Sequence, residues 1–83
     1  MTRNDILQVV LKHIDLNVHD FDKNAMDTSR SMAEYGASSL DIVEIVSGSM
    51  RELKIKIPRT ELSKLRNVDE LVDLFHRVKA NAA

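Results

Sequence analysis

Residues 38–53 read Ser38-Ser39-Leu40-Asp41-Ile42-Val43-Glu44-Ile45-Val46-Ser47-Gly48-Ser49-Met50-Arg51-Glu52-Leu53, and their pattern decides the fold. Ser38 and Asp41 have the S-x-x-D spacing of a helix N-terminal cap. Behind them, Leu40, Ile42, Val43, Ile45, Val46, Met50 and Leu53 spread over too wide an arc for a helix with one buried stripe. Ile42, Ile45, Val46, Ser49 and Leu53 share one face, which leaves Leu40, Val43, Ser47 and Met50 as a second, narrower stripe. The first face predicts a core helix and the second a docking surface.

The flanking segments supply the rest of a bundle. Ile6, Leu7, Val10, Leu11 and Ile14 recur as an amphipathic stripe, and Thr2 with Asp5 has capping-box spacing, which predicts a helix from Arg3 to Leu16. From Asn17 to Ala37 the periodicity is lost among Asp, Asn, Ser and Thr, the signature of a long loop, with Phe21, Met26, Met32 and Tyr35 expected to plug it into the core. Lys54-Ile55-Lys56-Ile57 alternates like a strand, but Pro58 ends it and no partner strand is visible, so an extended connector is expected. Pro58 suits the first turn of a short helix through Lys64. Asn67 and Glu70 cap a last helix with a core face of Leu71, Leu74, Phe75 and Val78. The expectation is an all-α fold: a small bundle of three main helices plus one short helix, with a long first loop, in a single domain spanning residues 1–83.

Composition narrows the function. The 83 residues, 43% hydrophobic and 30% charged, are those of an ordinary soluble globular domain that must commit most apolar residues to one core. Absence of cysteine excludes disulfides, thiolate metal sites and cysteine nucleophiles. The apolar run at Ile6–Leu11 has neither a basic leader nor a small-residue cleavage site, so cytoplasmic residence, no membrane and a monomer are the default expectations. Net charge is −1, yet residues 15–44 hold seven acids against two bases, and residues 51–66 hold six bases against two acids. Such asymmetry steers charged partners.

Tyr35-Gly36-Ala37-Ser38-Ser39-Leu40-Asp41 places a glycine before two serines at a helix start. First-turn amides lack helical partners and the helix dipole is positive there, which favours a phosphate linked to serine. Local spacing alone favours the plainer reading, in which both serines are caps.

Gly36-Ala37-Ser38-Ser39-Leu40-Asp41 followed by Val43-Glu44 resembles the G-x-D-S-L-D-x-V-E signature of acyl carrier proteins, and Ile57-Pro58 and Val68-Asp69-Glu70-Leu71 fall where that family has its I-P and the start of its last helix. The resemblance implies a non-enzymatic carrier whose cofactor, 4'-phosphopantetheine from coenzyme A, is attached to Ser39 by a magnesium-dependent phosphopantetheinyl transferase. Gly36, Ser38 and Leu40 then flank the cofactor. Ser38 stands where most relatives have Asp, which removes a negative charge and supplies a second hydroxyl that competes as acceptor. The implied docking positions are Leu40, Asp41, Val43, Glu44, Ser47, Met50 and Arg51. Met50 and Arg51 replace usual acids, which points to dedicated partners. Leu62, with Leu65, falls at the implied acyl pocket, where many fatty-acid carriers have alanine, and predicts short acyl groups.

Residues 53–62 and 67–75 are further similar to discrete carriers of polyketide β-branching cassettes. That likeness implies an acetyl or malonyl cargo, an acyltransferase, and a ketosynthase-like or hydroxymethylglutaryl-synthase-like partner. A fatty-acid or other discrete carrier is the alternative.

Other signals carry less. Asp20, Asp22 and Asn24 begin like a calcium loop, but Ala25 and Ser31 stand where glycine and a bidentate acid belong. His13, His19 and His76 have no ligand or triad spacing, so no metal site is expected. A helical protein-interaction module, or a DNA binder using the bases of residues 51–66, is the rival class; the pI near 6.3 and the lack of a recognition helix argue against DNA.

Overall fold

The computed structural model describes residues 1–18, 22, 27–63 and 65–81, apart from the Arg59 side chain. Among them are four helices and no strand: α1 (Arg3–Asn17), α2 (Ser39–Leu53), α3 (Arg59–Leu62) and α4 (Val68–Asn81). The termini follow the capping chemistry. Thr2 and Asp5 form a reciprocal capping box at α1, and the Asn67 carboxamide oxygen accepts the Glu70 N–H at 2.8 Å at α4. Glu70 reaches one residue further back than its spacing suggested, accepting from the Arg66 N–H at 2.9 Å. α2 ends on Lys54 in the left-handed conformation (φ 59°). The connector 55–58 is extended, with Ile55 and Ile57 buried and Lys54 and Lys56 exposed. α3 is shorter than expected, ending at Leu62, and the Pro58 carbonyl accepts from the Glu61 and Leu62 amides just ahead of it.

One apolar cluster joins α1, α2, α4 and the connector. Ile6, Val10, Ile14, Ile45, Val68, Val72 and Phe75 are completely excluded from solvent. Val68 and Val72 extend the core face of α4 beyond the expected four residues, because that helix packs across a wide arc, while Val78 is only partly buried. On α2, Ile45, Val46, Ser49 and Leu53 are buried as the pattern required, whereas Ile42 is partly open.

The long connection contains a 3₁₀ turn at Met32–Tyr35 that the loss of periodicity concealed. Its cause is local: Ser31 and Glu34 form a capping box of the same S-x-x-E kind. Met32 packs on the core. Tyr35 does not plug the core; its hydroxyl accepts from the Asp27 N–H and donates to the Asp27 carbonyl, so it pins the loop through polar contacts. Phe21, Met26, Asp20, Asn24 and His19 lie outside the described residues. The connection is also tied to α4, whose first amides find acceptors outside the helix: Val68 N–H donates to Arg30 O at 3.2 Å and Asp69 N–H to Thr28 O at 2.9 Å.

α1 and α2 pack closely because Gly48 has no side chain. A Cβ there would lie 2.6 Å from His13 Nδ1, and the His13 side chain, 14% exposed, is held 3.0 Å from Glu52 Oε1. Lys12 and His13 together hold the Glu52 carboxyl below its ordinary range. Gly48→Ala should therefore destabilise by about 1–3 kcal/mol despite alanine's better helix propensity. In a His13→Ala background the same substitution should stabilise, a reversal that urea denaturation measures directly. The Ser49 hydroxyl is fully buried with no hydrogen-bond partner among the described residues. Ser49→Ala should raise stability by about 1 kcal/mol in the same assay, since it removes an unsatisfied buried hydroxyl.

Candidate functional site at the start of α2

Three local features fix the geometry. Gly36 closes the 3₁₀ turn with φ 92°, and the nearest atom to a Cβ there would be Val18 Cγ1 at 4.0 Å. Conformation, not space, demands glycine. Ala37 is buried and anchors the chain. Ser38 then turns the backbone into α2 as N-cap, its hydroxyl accepting the Asp41 N–H at 3.1 Å while Asp41 Oδ2 accepts the Ser38 N–H at 3.0 Å.

This arrangement separates the two serines. The Ser38 hydroxyl is committed to the cap. Ser39 is the first helical residue, exposed, and its hydroxyl makes no hydrogen bond among the described residues. The helical ladder begins with Ile42 N–H to Ser38 O at 2.9 Å and the Asp41 N–H is taken by the cap, so the Ser39 and Leu40 amides remain available to an anion. A serine-linked phosphate fits here: the hydroxyl is accessible, the helix end is positive, and no side chain fills the approach.

Helical spacing gives Ser39 a second property. Ile42 and Val43 (i+3, i+4) and Val46 and Ser47 (i+7, i+8) lie on its face, and all four line a groove of about 470 Å³. Leu62, Leu65 and Leu71 form the facing wall, with Met32 and Ile57. Small-molecule sites span about this volume.

The expected docking residues are divided by the structure. Leu40 (71% exposed) is an outward apolar side chain, and Val43 (51%) lies at the groove rim, lining the groove and facing solvent. Glu44 and Arg51 are exposed, and Asp41 is half-buried in the capping box. Ser47 and Met50 turn toward the groove, and Met50 packs against the core, so these two belong more to the groove than to the outer stripe. Sequence reasoning missed the 3₁₀ turn as a groove wall, although Ser31-Met32-Ala33-Glu34 carries a readable capping signal, and it missed Arg66 and Asn67 at the groove. Among the described residues, no group of three or more His, Asp or Glu is placed to hold a metal ion, and no helix is long and apolar enough to cross a membrane.

The bundle presents an exposed serine at a helix start beside an apolar groove, a place where an attached group can be held. The chain matches, over residues 5–75, the family described as the phosphopantetheine attachment site, and it belongs to that family. It is 30% identical to the polyketide biosynthesis acyl-carrier-protein AcpK of Bacillus subtilis (strain 168), over 92% of this chain and 93% of that protein. It is likewise 30% identical to the acyl carrier protein of Wolinella succinogenes, over 83% of this chain and 86% of that protein. The solved structure of the curacin biosynthetic pathway HMG synthase in complex with acetyl donor-ACP contains a chain that aligns with a TM-score of 0.80 at 28% identity. That alignment covers 90% of this chain and 96% of the other. The protein is thus an acyl carrier, not an enzyme, with 4'-phosphopantetheine as its cofactor and biosynthetic enzymes as its partners.

The two serines should separate in stability measurements. Ser38→Ala, which deletes the cap, should cost about 1 kcal/mol. Ser39→Ala should stay within about 0.5 kcal/mol of the parent, as a surface substitution that breaks no contact. Paired urea titrations check both.

Proposed function

We propose that residues 1–83 form one carrier domain that holds a short acyl group, acetyl or malonyl, on phosphopantetheine at Ser39 and presents it to an enzyme resembling hydroxymethylglutaryl synthase in polyketide β-branching. The observation that carries the attachment point is the contrast between the capped Ser38 hydroxyl and the unpartnered, exposed Ser39 hydroxyl. The pathway rests on two likenesses, to a polyketide carrier and to a carrier solved with an HMG synthase.

Attachment is a phosphoryl transfer. The Ser39 oxygen attacks the phosphorus that joins the pantetheine arm to the nucleotide of coenzyme A, the P–O bond to 3',5'-ADP breaks, and a base on the transferase takes the serine proton. The free Ser39 and Leu40 amides at the start of α2 are then near the phosphodiester. Once attached, the arm supplies a terminal thiol that an acyltransferase loads as a thioester. Tethering raises the effective concentration of the acyl group at any docked enzyme. The carrier contributes position; Leu40 and Val43 offer partners an apolar contact, and Glu44 and Arg51 flank it with opposite charges. Leu62 in the groove wall supports a short cargo. A fatty-acid or other discrete carrier is the second reading, consistent with the likeness to the Wolinella acyl carrier protein.

Incubation with coenzyme A and a transferase, followed by intact mass measurement, tests the site. Parent and Ser38→Ala should gain one phosphopantetheine, and Ser39→Ala none; modification that survives Ser39→Ala overturns the assignment. Transfer of acetyl from the loaded carrier to a β-keto acceptor by an HMG synthase tests the pathway. Arg51→Glu should slow that transfer about tenfold, as expected for loss of charge complementarity at an interface. Stable burial of a long acyl chain in NMR spectra, without HMG synthase turnover, would favour the fatty-acid reading instead.

A further inference from the structure

Among the described residues that line the groove beside α2, Arg66 alone carries a charge, and no carboxylate lines it. Arg66 lies between α3 and α4 with its side chain 90% exposed, and its Nε is 4.0 Å from Glu70 Oε1. That same oxygen already accepts the Arg66 backbone N–H at 2.9 Å, so the ion pair is long and occupies one edge of the guanidinium. The remaining fork has no acceptor among the described residues. Beside it, Asn67 commits its carboxamide oxygen to the Glu70 N–H at 2.8 Å, which leaves its amide nitrogen as a donor.

These donors meet an apolar floor. Ile42, Val46 and Leu71 form surface that suits methylene groups, and Ser39 begins the helical face that leads into it. An alkyl tail entering from that face gains nothing from a guanidinium. A short acyl group with a distal carboxylate satisfies both surfaces, because a planar guanidinium matches a carboxylate with two parallel hydrogen bonds.

We propose that Arg66, with Asn67 beside it, selects acyl groups that end in a carboxylate, of the malonyl class, by pairing with the distal anion at the edge of the groove. This deepens the reading of Ser39 as the attachment point and rests on it. Because Arg66 is exposed, the preference is modest: about three- to fivefold in docked population at low salt, shrinking as salt screens the pair.

The test uses the intact carrier and its Arg66→Gln variant, each loaded with acetyl, butyryl or malonyl, with loading verified by intact mass. Butyryl controls for length without charge. Side-chain ¹H–¹⁵N signals of Arg66 and Asn67 and methyl signals of Ile42 and Leu62 report docking. Malonyl should shift these signals in the parent about three- to fivefold more than butyryl or acetyl, and the excess should vanish in Arg66→Gln and at high salt. Equal shifts for all three cargoes, or a malonyl excess that persists in Arg66→Gln, overturn the proposal. Arg66→Glu serves as a second variant and should expel malonyl while leaving the acetyl-dependent shifts of Asn67, Ile42 and Leu62 unchanged; retained malonyl shifts at those residues overturn it too. Failure of the parent to load at all would show in the mass spectrum and would remove the Ser39 reading, and this inference with it.

Discussion

The reciprocal hydrogen bonds between Ser38 and Asp41 fix where α2 begins, and which of the two serines keeps a free hydroxyl depends on that start. A helix turns about 100° per residue. Starting α2 one residue later would make Ser39 the cap and tie up its hydroxyl. It would not by itself move the core face, since Ile45, Val46 and Leu53 are held by α1 and the common apolar cluster; the cap decides only which serine is free. A single local motif thus connects helix initiation to the chemistry the site offers.

α2 has to serve two environments, and the packing around it shows how. Its inner face is committed to α1 through the close approach at Gly48, where His13 lies over the bare backbone and reaches Glu52. Its opposite flank is left open, since the first connection and the segment after α3 stand away from it as walls of a groove. Those walls are held by backbone bonds from the start of α4 to Thr28 and Arg30, so the groove is framed without filling it. Further polar ties lie at the periphery: Arg3 bridges to Asp69 and Asp73, and Lys79 Nζ donates to Leu53 O at 2.9 Å across the end of α2. Exposed pairs of this kind contribute little individually; they orient helices that the apolar cluster has already brought together.

Much of this was readable in the chain. Three main helices, their caps and the extended connector follow from short-range rules, because a capping box or a stripe at i, i+3 and i+4 is a local property. The resemblance to acyl carriers rests on the order of short motifs from Gly36 to Leu71, and the family match, over residues 5–75, includes that stretch. The 3₁₀ turn was equally local and was hidden only by the surrounding loss of periodicity. Tyr35 was misjudged because an aromatic ring suggests core, whereas its hydroxyl found two backbone partners first.

What the sequence by itself determined is the set of helices, the excess apolar surface on α2, and two serines at its start that local spacing could not tell apart. The tertiary structure decided how those surfaces are divided. It left Leu40 in solvent, set Val43 at the groove rim, turned Ser47 and Met50 toward the groove, and brought Arg66 and Asn67 from a distant connection to the same groove. The physical reason is range: caps and stripes form between residues three or four apart, but a groove exists only once separate helices have been packed side by side.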